Sequence, residues 1–510
     1  MSSQQKTGRI AKNTILLYLR MMIVMFINLF AVRVVLNALG EEDYGIYNVI
    51  AGVNTMLSGV TTVLASATQR FYSYSMGDEK AGSLREIFSS SVNIYLIFSL
   101  GVLVLGETLG LWFVNEKLVI PDDRLFAANL IYQFSILSFI CSMMQSPFFS
   151  AVIAHEDMGI FTFASLGECL LKFGSAWLLT IVAFDRLDTY GFLILFVHIL
   201  SLFFYFYVGR KRYSECHYQR VKDKHLYKEI LSYSGWNLFG SMAAVGMNQV
   251  NTILVNVFFG PIANAARAIA LQINGALSSF SGSFIMAIRP PMIKAYAEKD
   301  YSYLNKLFTL GNKFIYYCLI FVALPLLFEM ETVLRLWLKT ATDQTVLFSQ
   351  LIVVYVLILS LNNPISIIMQ AMGKVKEYYV PVESVTLLCP IITWILFRIG
   401  LPAESTFWAM IGTIIVSHVI RIWCLKRYYE GFSLKEYSLS FLAPAAVVTV
   451  ITCLVLYPIM NNMTAGVVRL VVMLFASFVA ICSFAIIIGL NKEEKQYIKV
   501  LLKRSRPKNE

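Results

Sequence analysis

The sequence has little charge. Only 14% of its 510 residues are Asp, Glu, Lys or Arg, against about 25% in ordinary soluble domains. That scarcity excludes a soluble globular protein, and the lack of any long polar linker excludes a string of soluble domains. Disorder is excluded by the same composition. Cysteine is too sparse for a disulfide scaffold. Of the eight, Cys141, Cys169, Cys318, Cys389, Cys424, Cys453 and Cys482 lie in apolar runs and Cys216 in a basic loop, and none forms a CxxC pair. No GxSxG, HExxH or phosphate-loop pattern occurs. No long outer loop or His-based acyl site is evident, as a glycan polymerase or acyltransferase would need. The chain is therefore read as not an enzyme. His155-Glu156-Asp157 is a short loop with no partner in sight, read as a cap or a lipid-surface contact.

What the chain has is hydrophobicity, at 58%. A bilayer core takes about 20 mostly apolar residues per helix. Spans of that kind fall at 14–36, 44–66, 90–108, 124–149, 159–182, 190–208, 235–257, 262–287, 314–334, 346–369, 378–399, 406–424, 439–459 and 467–489. The spans 235–257 and 262–287 are rich in Asn, Gln, Ser and Gly. They still read as helices, because an open sheet edge cannot survive in lipid. The first span is too long for a signal peptide and no small-residue cleavage site follows it, so it reads as a retained helix.

The net charge of +11 has a topological reading. With a cytoplasmic N-terminus, about 30 basic residues fall on the inner side and about 6 on the outer, as the positive-inside rule requires. Both termini are then cytoplasmic and nucleic acid is not expected as a partner. The longest internal connection, 209–234, is a basic cytoplasmic linker. The tail 490–510 is basic, and it reads equally as an amphipathic helix on anionic lipid or as a solvated stop signal.

The chain also repeats itself at an offset near 220. Gly40 matches Gly260, and Leu84-x-x-Ile87-Phe88 matches Leu304-x-x-Leu307-Phe308. Glu107, Thr108 and Trp112 match Glu331, Thr332 and Trp337. Pro147 and Ala154 match Pro364 and Ala371, and Glu168 falls opposite Glu383. The unit has six helices, so both copies run the same way through the membrane. The expected domains are a lobe at 1–208, the linker, a lobe at 235–424, and an appended helix pair at 439–489. Such parallel repeats place a cleft between two bundles, with a site near the midplane.

Charge inside a membrane is expensive, so its position is informative. Glu168 and Glu383 are the acids noted within spans. Arg20, Arg33, Lys172, Arg267, Arg421 and Arg469 are the bases. Arg421 and Arg469 lie near helix ends and are expected to snorkel. Arg33 stands beside Glu41 to Asp43, where a rim salt bridge is expected. Arg20 stands two turns from Asn28 on one face, and either reaches headgroups or enters a hydrated cleft. Arg267 continues a stripe with Asn264, Asn274, Ser278 and Ser281, and the preceding helix carries Asn237, Ser241, Asn248, Thr252 and Asn256, plus Asn251. These polar residues either bond between packed helices or line a hydrated cavity. Glu168 and Lys172 are spaced i, i+4 and can pair, as a structural pair or as a carboxylate that takes up H+ or Na+. His198 and His418 read as packed core or interface groups.

Arg33-Val34-Val35-Leu36-Asn37-x-Leu39-Gly40, Asp43-Tyr44-Gly45-Ile46-Tyr47-Asn48 and Ala67-Thr68-Gln69-Arg70-Phe71 resemble the polysaccharide-transporter branch of the multidrug/oligosaccharidyl-lipid/polysaccharide (MOP) flippase superfamily. The resemblance implies an all-α integral membrane protein of about 14 transmembrane helices. Two parallel six-helix bundles would form a V-shaped central cavity, with two extra C-terminal helices, in the arrangement of multidrug and toxin extrusion (MATE) proteins. It implies a flippase that moves a polyprenyl-pyrophosphate-linked oligosaccharide across a bacterial cytoplasmic membrane by alternating access, for surface polysaccharide or lipopolysaccharide. The expected partners are that lipid-linked oligosaccharide, membrane lipids and other glycan-assembly proteins. Arg20, Asn28, Lys172, Asn248, Asn251, Arg267 and Asn274 would contact pyrophosphate or sugar, since guanidinium pairs well with phosphate oxygens. No cofactor or metal is expected, and H+ or Na+ coupling would fall to Glu168 or Glu383. The alternatives are a cation-coupled multidrug antiporter of the same superfamily and a lipid II flippase.

Overall fold

A computed structural model of the chain describes residues 3–77, 83–116, 120–182, 184–221, 223–338 and 342–490. Among them the regular structure is helical throughout. We number the helices α1 (3–39), α2 (41–77), α3 (Leu84–Glu116), α4 (Asp122–Ala154), α5 (Met158–Leu178), α6 (Arg186–Arg212) and α7 (Lys224–Gly260). Then follow α8 (261–297), α9 (Tyr301–Leu338), α10 (Asp343–Ala371), α11 (Val375–Arg398), α12 (Ser405–Tyr428), α13 (Leu434–Asn462) and α14 (Val467–Gly489). The tail from 491, Lys80, Lys117, Lys222 and Lys339 lie outside the described residues. So do the side chains of Lys6, Arg9, Lys12, Arg33 and Asn48, so the expected Arg33 rim bridge does too.

Ten of the described helices are long and apolar enough to cross a membrane, which makes the chain a multi-pass membrane protein. The remaining four are α1, α2, α5 and α8. In α1 the described stretch Asn13–Asn28 is itself apolar, though short, whereas α5 carries Glu168 and Lys172 and α8 carries Arg267 with its Asn and Ser residues. The outer surfaces of the helices are apolar, with Phe163, Val257 and Val468 each at least 70% exposed. A soluble protein seldom displays apolar surface on this scale.

The basic linker expected at 209–234 is shorter than its composition suggests. Helix α6 continues to Arg212 and α7 begins at Lys224, so non-helical chain is confined to the stretch between them.

The chain divides into two compact units, one of Ala11–Leu238 and one of Phe239 onward together with the residues before Ala11. In the first, Val35, Ile50, Ala128, Ile131, Leu179 and Leu187 belong to the core. In the second, Val255, Ala270, Leu319, Phe348, Ile352 and Met410 do. Helices α13 and α14 pack on each other and on α9.

The sequence repeat has a backbone counterpart. Without a break, α1 would run into α2 and α7 into α8. The breaks fall at Gly40 (φ 82°, ψ 172°) and Gly260 (φ 79°, ψ −174°), a conformation open essentially to glycine alone. Ile87, Phe88, Leu304, Leu307 and Phe308 are all buried in the first turns of α3 and α9. Helices α4 and α10 end at the matched residues Ala154 and Ala371. A π-turn at Gly106–Gly110 interrupts α3 where Glu329 (φ −111°, ψ 22°) interrupts α9.

Candidate functional site

In the first unit, α1, α5 and α6 gather the polar residues. The Nε of Arg20 donates to Ser165 Oγ at 2.5 Å, and its guanidinium lies 4.4 Å from the centre of the Phe161 ring. Lys172 Nζ lies 2.7 Å from Glu168 Oε1, and Ser201 Oγ donates to Glu168 Oε2 at 3.3 Å. Cys169 Sγ, between those two on α5, lies 3.7 Å from Asn28 Oδ1. Arg20, Asn28, Glu168 and Lys172 therefore converge, although 140 residues or more separate the α1 members from α5. The charges are not equivalent. Lys172 is matched by Glu168, whereas Arg20 has an aromatic face and a hydroxyl and, among the described residues, no carboxylate within salt-bridge distance. His198 Nδ1 is 2.8 Å from its own helix at Ile194 O, a packed role as expected.

In the second unit the centre is Arg267 on α8, which is 0% exposed. Its Nε donates to Thr252 Oγ1 at 3.3 Å, its Nη2 to Asn248 O at 3.5 Å, and its Nη1 approaches Met410 Sδ at 3.8 Å. The Phe407 ring centre lies 5.4 Å from the guanidinium carbon. These contacts are long and neutral. No carboxylate among the described residues pairs with Arg267. Beside it, Asn251 is fully buried and its Nδ2 donates only to Cys389 Sγ, at 3.5 Å. Among the described residues, the Oδ1 atoms of Asn248 and Asn251 are buried acceptors without a donor. Buried groups of this kind normally find partners. Asn248, Asn251 and Arg267 thus form one cluster. Asn274, about two turns further along α8, does not join it and accepts from Ser278.

Glu383 has a separate setting. Arg421 Nη2 lies 3.5 Å from its Oε1, and the other Arg421 nitrogen bonds the Tyr378 hydroxyl. Arg421 is buried with these partners and does not snorkel. Arg469 does not snorkel either. It pairs with Glu329, whose side chain is fully buried, and donates to the carbonyls of Met460 and Met463 at 2.9 and 3.0 Å. Glu329, like Glu107 and Glu331, is an acid inside the apolar runs that sequence reading did not count among the intramembrane charges. The pair fastens α14 to α9.

In the loop His155-Glu156-Asp157, His155 caps the end of α4 and Asp157 the start of α5, as the cap reading expects, and both side chains also have partners beyond the loop. His155 Nε2 lies 2.5 Å from Glu215 Oε1, its ring stacks on Tyr213 at 4.4 Å, and the Tyr213 hydroxyl donates to Asp157 at 2.6 Å. This clasp joins the α4–α5 turn to the segment after α6. Among the described residues no group of His, Cys, Asp and Glu is arranged to hold a metal ion.

A model of the family described as polysaccharide biosynthesis protein matches residues 10–296. No curated protein matches the chain by sequence. Solved structures share its fold. A MATE protein in a bent conformation superposes with a TM-score of 0.73 at 13% identity, over 84% of this chain and 98% of that one. An outward-facing multidrug resistance MATE family transporter of the MOP superfamily gives 0.71 at 13% identity, over 85% and 99%. A MOP superfamily transporter from Pyrococcus furiosus, described by the reverse polarity of its binding pocket, gives 0.68 at 12% identity, over 84% and 99%.

Proposed function

The chain belongs to the polysaccharide biosynthesis protein family, and from that premise we propose that it is a flippase for a polyprenyl-pyrophosphate-linked oligosaccharide. The transport would run by alternating access in a bacterial cytoplasmic membrane. The observation that carries the proposal is Arg267. A guanidinium buried in a membrane protein without a carboxylate is costly, and a phosphate oxygen is the partner its geometry fits. The donorless Oδ1 atoms of Asn248 and Asn251 suit sugar hydroxyls. Arg20 supplies a second cation free of a carboxylate, while Lys172 reaches an anion only by leaving Glu168.

The test is export of surface glycan by cells that carry variant chains. Arg267→Ala and Arg20→Ala are each expected to lower export about tenfold or more, since a charge-assisted hydrogen bond contributes roughly 1.5–3 kcal/mol. Normal export by both variants refutes the site. Restoration by supplied lipid II, rather than by a longer lipid-linked glycan, would move the assignment to a lipid II flippase.

Glu168 favours a second reading, a cation-coupled drug antiporter. Its carboxylate lines a cavity between α5 and α6, where H+ or Na+ uptake would release Lys172. Drug efflux from vesicles that needs a cation gradient and is lost in Glu168→Gln would establish this reading over the first.

A further inference from the structure

Two adjoining cavities of about 230 and 520 Å³ run along the seam of α5 and α6 and share Phe163 and Phe204. Together they make one groove. Its lining on α6 extends from Val197 to Arg212, about 22 Å by the helical rise. A single leaflet contributes roughly 15 Å of hydrocarbon, so the groove has the reach of one acyl chain plus the headgroup zone. Its walls are apolar, and on α5 its floor is Gly159, Ala164 and Gly167. An added Cβ at Gly159 or Gly167 would meet no atom within 4 Å. The two ends differ in charge. At the deep end Glu168 is neutralised by Lys172. At the other end stand Lys211 and Arg212, both exposed, and among the described residues neither forms an ion pair. Lys211 Nζ donates to the Tyr207 hydroxyl at 3.2 Å, which holds the ammonium over the groove mouth.

We propose that this groove is a binding site for an anionic glycerophospholipid, with one acyl chain against Phe163 and Phe204 and the phosphate on Lys211 and Arg212. Charge and length select the occupant: a zwitterionic headgroup would forgo the net attraction to two cations, and a polyprenyl tail far exceeds the groove. The site is independent of which cargo the protein moves, because its readout is lipid retention.

The experiment titrates the delipidated full chain with phosphatidylglycerol or phosphatidylcholine of the same acyl chains and counts bound lipid by native mass spectrometry. Wild type is expected to retain one phosphatidylglycerol about tenfold more tightly than phosphatidylcholine. The double variant Lys211→Ala/Arg212→Ala is expected to lose that preference, and Lys211→Arg/Arg212→Lys to keep it. Gly167→Leu is expected to lose the bound lipid while its thermal unfolding stays at the wild-type temperature. Equal retention of the two lipids by wild type overturns the proposal. So does unchanged phosphatidylglycerol binding by both the double alanine variant and Gly167→Leu. Displacement of the lipid by an equal concentration of polyprenyl monophosphate also overturns it, and makes the groove a cargo subsite.

Discussion

Three arginines in the second unit, Arg267 and Arg421 buried and Arg469 partly so, differ in what neutralises them. Arg421 has Glu383 and Tyr378, Arg469 has Glu329, and Arg267 has only neutral groups. Removing one partner of a buried pair leaves a naked charge and costs about 3–5 kcal/mol. Arg469→Met should therefore lower the unfolding temperature in detergent sharply, and the double variant Arg469→Met/Glu329→Leu should recover most of the loss. Arg267 predicts the opposite. Arg267→Met should leave stability unchanged or raise it by about 1–4 kcal/mol, while glycan export falls. A destabilised Arg267→Met would mean that the guanidinium serves packing. The sequence identified Arg267 from its stripe, but helix-end position was a poor guide to Arg421 and Arg469. Position along a helix sets how far a side chain can reach, and whether a partner stands nearer than the headgroups depends on other helices.

Among the elements, the breaks at Gly40 and Gly260 are set by local backbone chemistry, and sequence comparison could find them for that reason. An alanine at either position finds open space but must adopt a conformation costing about 1–3 kcal/mol. Gly40→Ala and Gly260→Ala are expected to lower the unfolding free energy by similar amounts. A loss at one site only would mean that the two breaks are not equivalent. The clasp after α6 predicts a pH effect. Burial alone would raise the Glu215 carboxyl, but the bond to His155 and a backbone hydrogen bond outweigh it and hold the group below its ordinary value. The stability it contributes is complete above about pH 5 and is lost as pH falls through the acid range. Glu215→Gln should flatten the acid limb of a melting-temperature profile. Sequence reading could not find this clasp, because its halves are surface segments brought together by the ends of α4 and α6.

For the whole molecule, the outward apolar surface and the lopsided loops are two sides of one constraint, the bilayer. The loop charges predict an orientation, and accessibility tests it. In a cysteine-free background, Asp123→Cys should react with a membrane-impermeant maleimide in intact cells, whereas Lys435→Cys should react only after permeabilisation. The reverse pattern inverts the topology. The helical state was legible even in the polar stretches 235–257 and 262–287, which lie in α7 and α8, because backbone in lipid must satisfy itself within a helix.

Membrane class, helix order, the duplication and the two glycine breaks follow from the sequence by itself. Each depends on properties a short segment carries alone: its hydropathy, its length and the φ its residues allow. The state of each intramembrane charge was decided only in the tertiary structure. Glu383 with Arg421, Glu329 with Arg469 and Arg20 with Ser165 are meetings between helices. Whether a buried charge is compensated depends on what stands within a few ångströms of it, and spacing along the chain does not encode that distance.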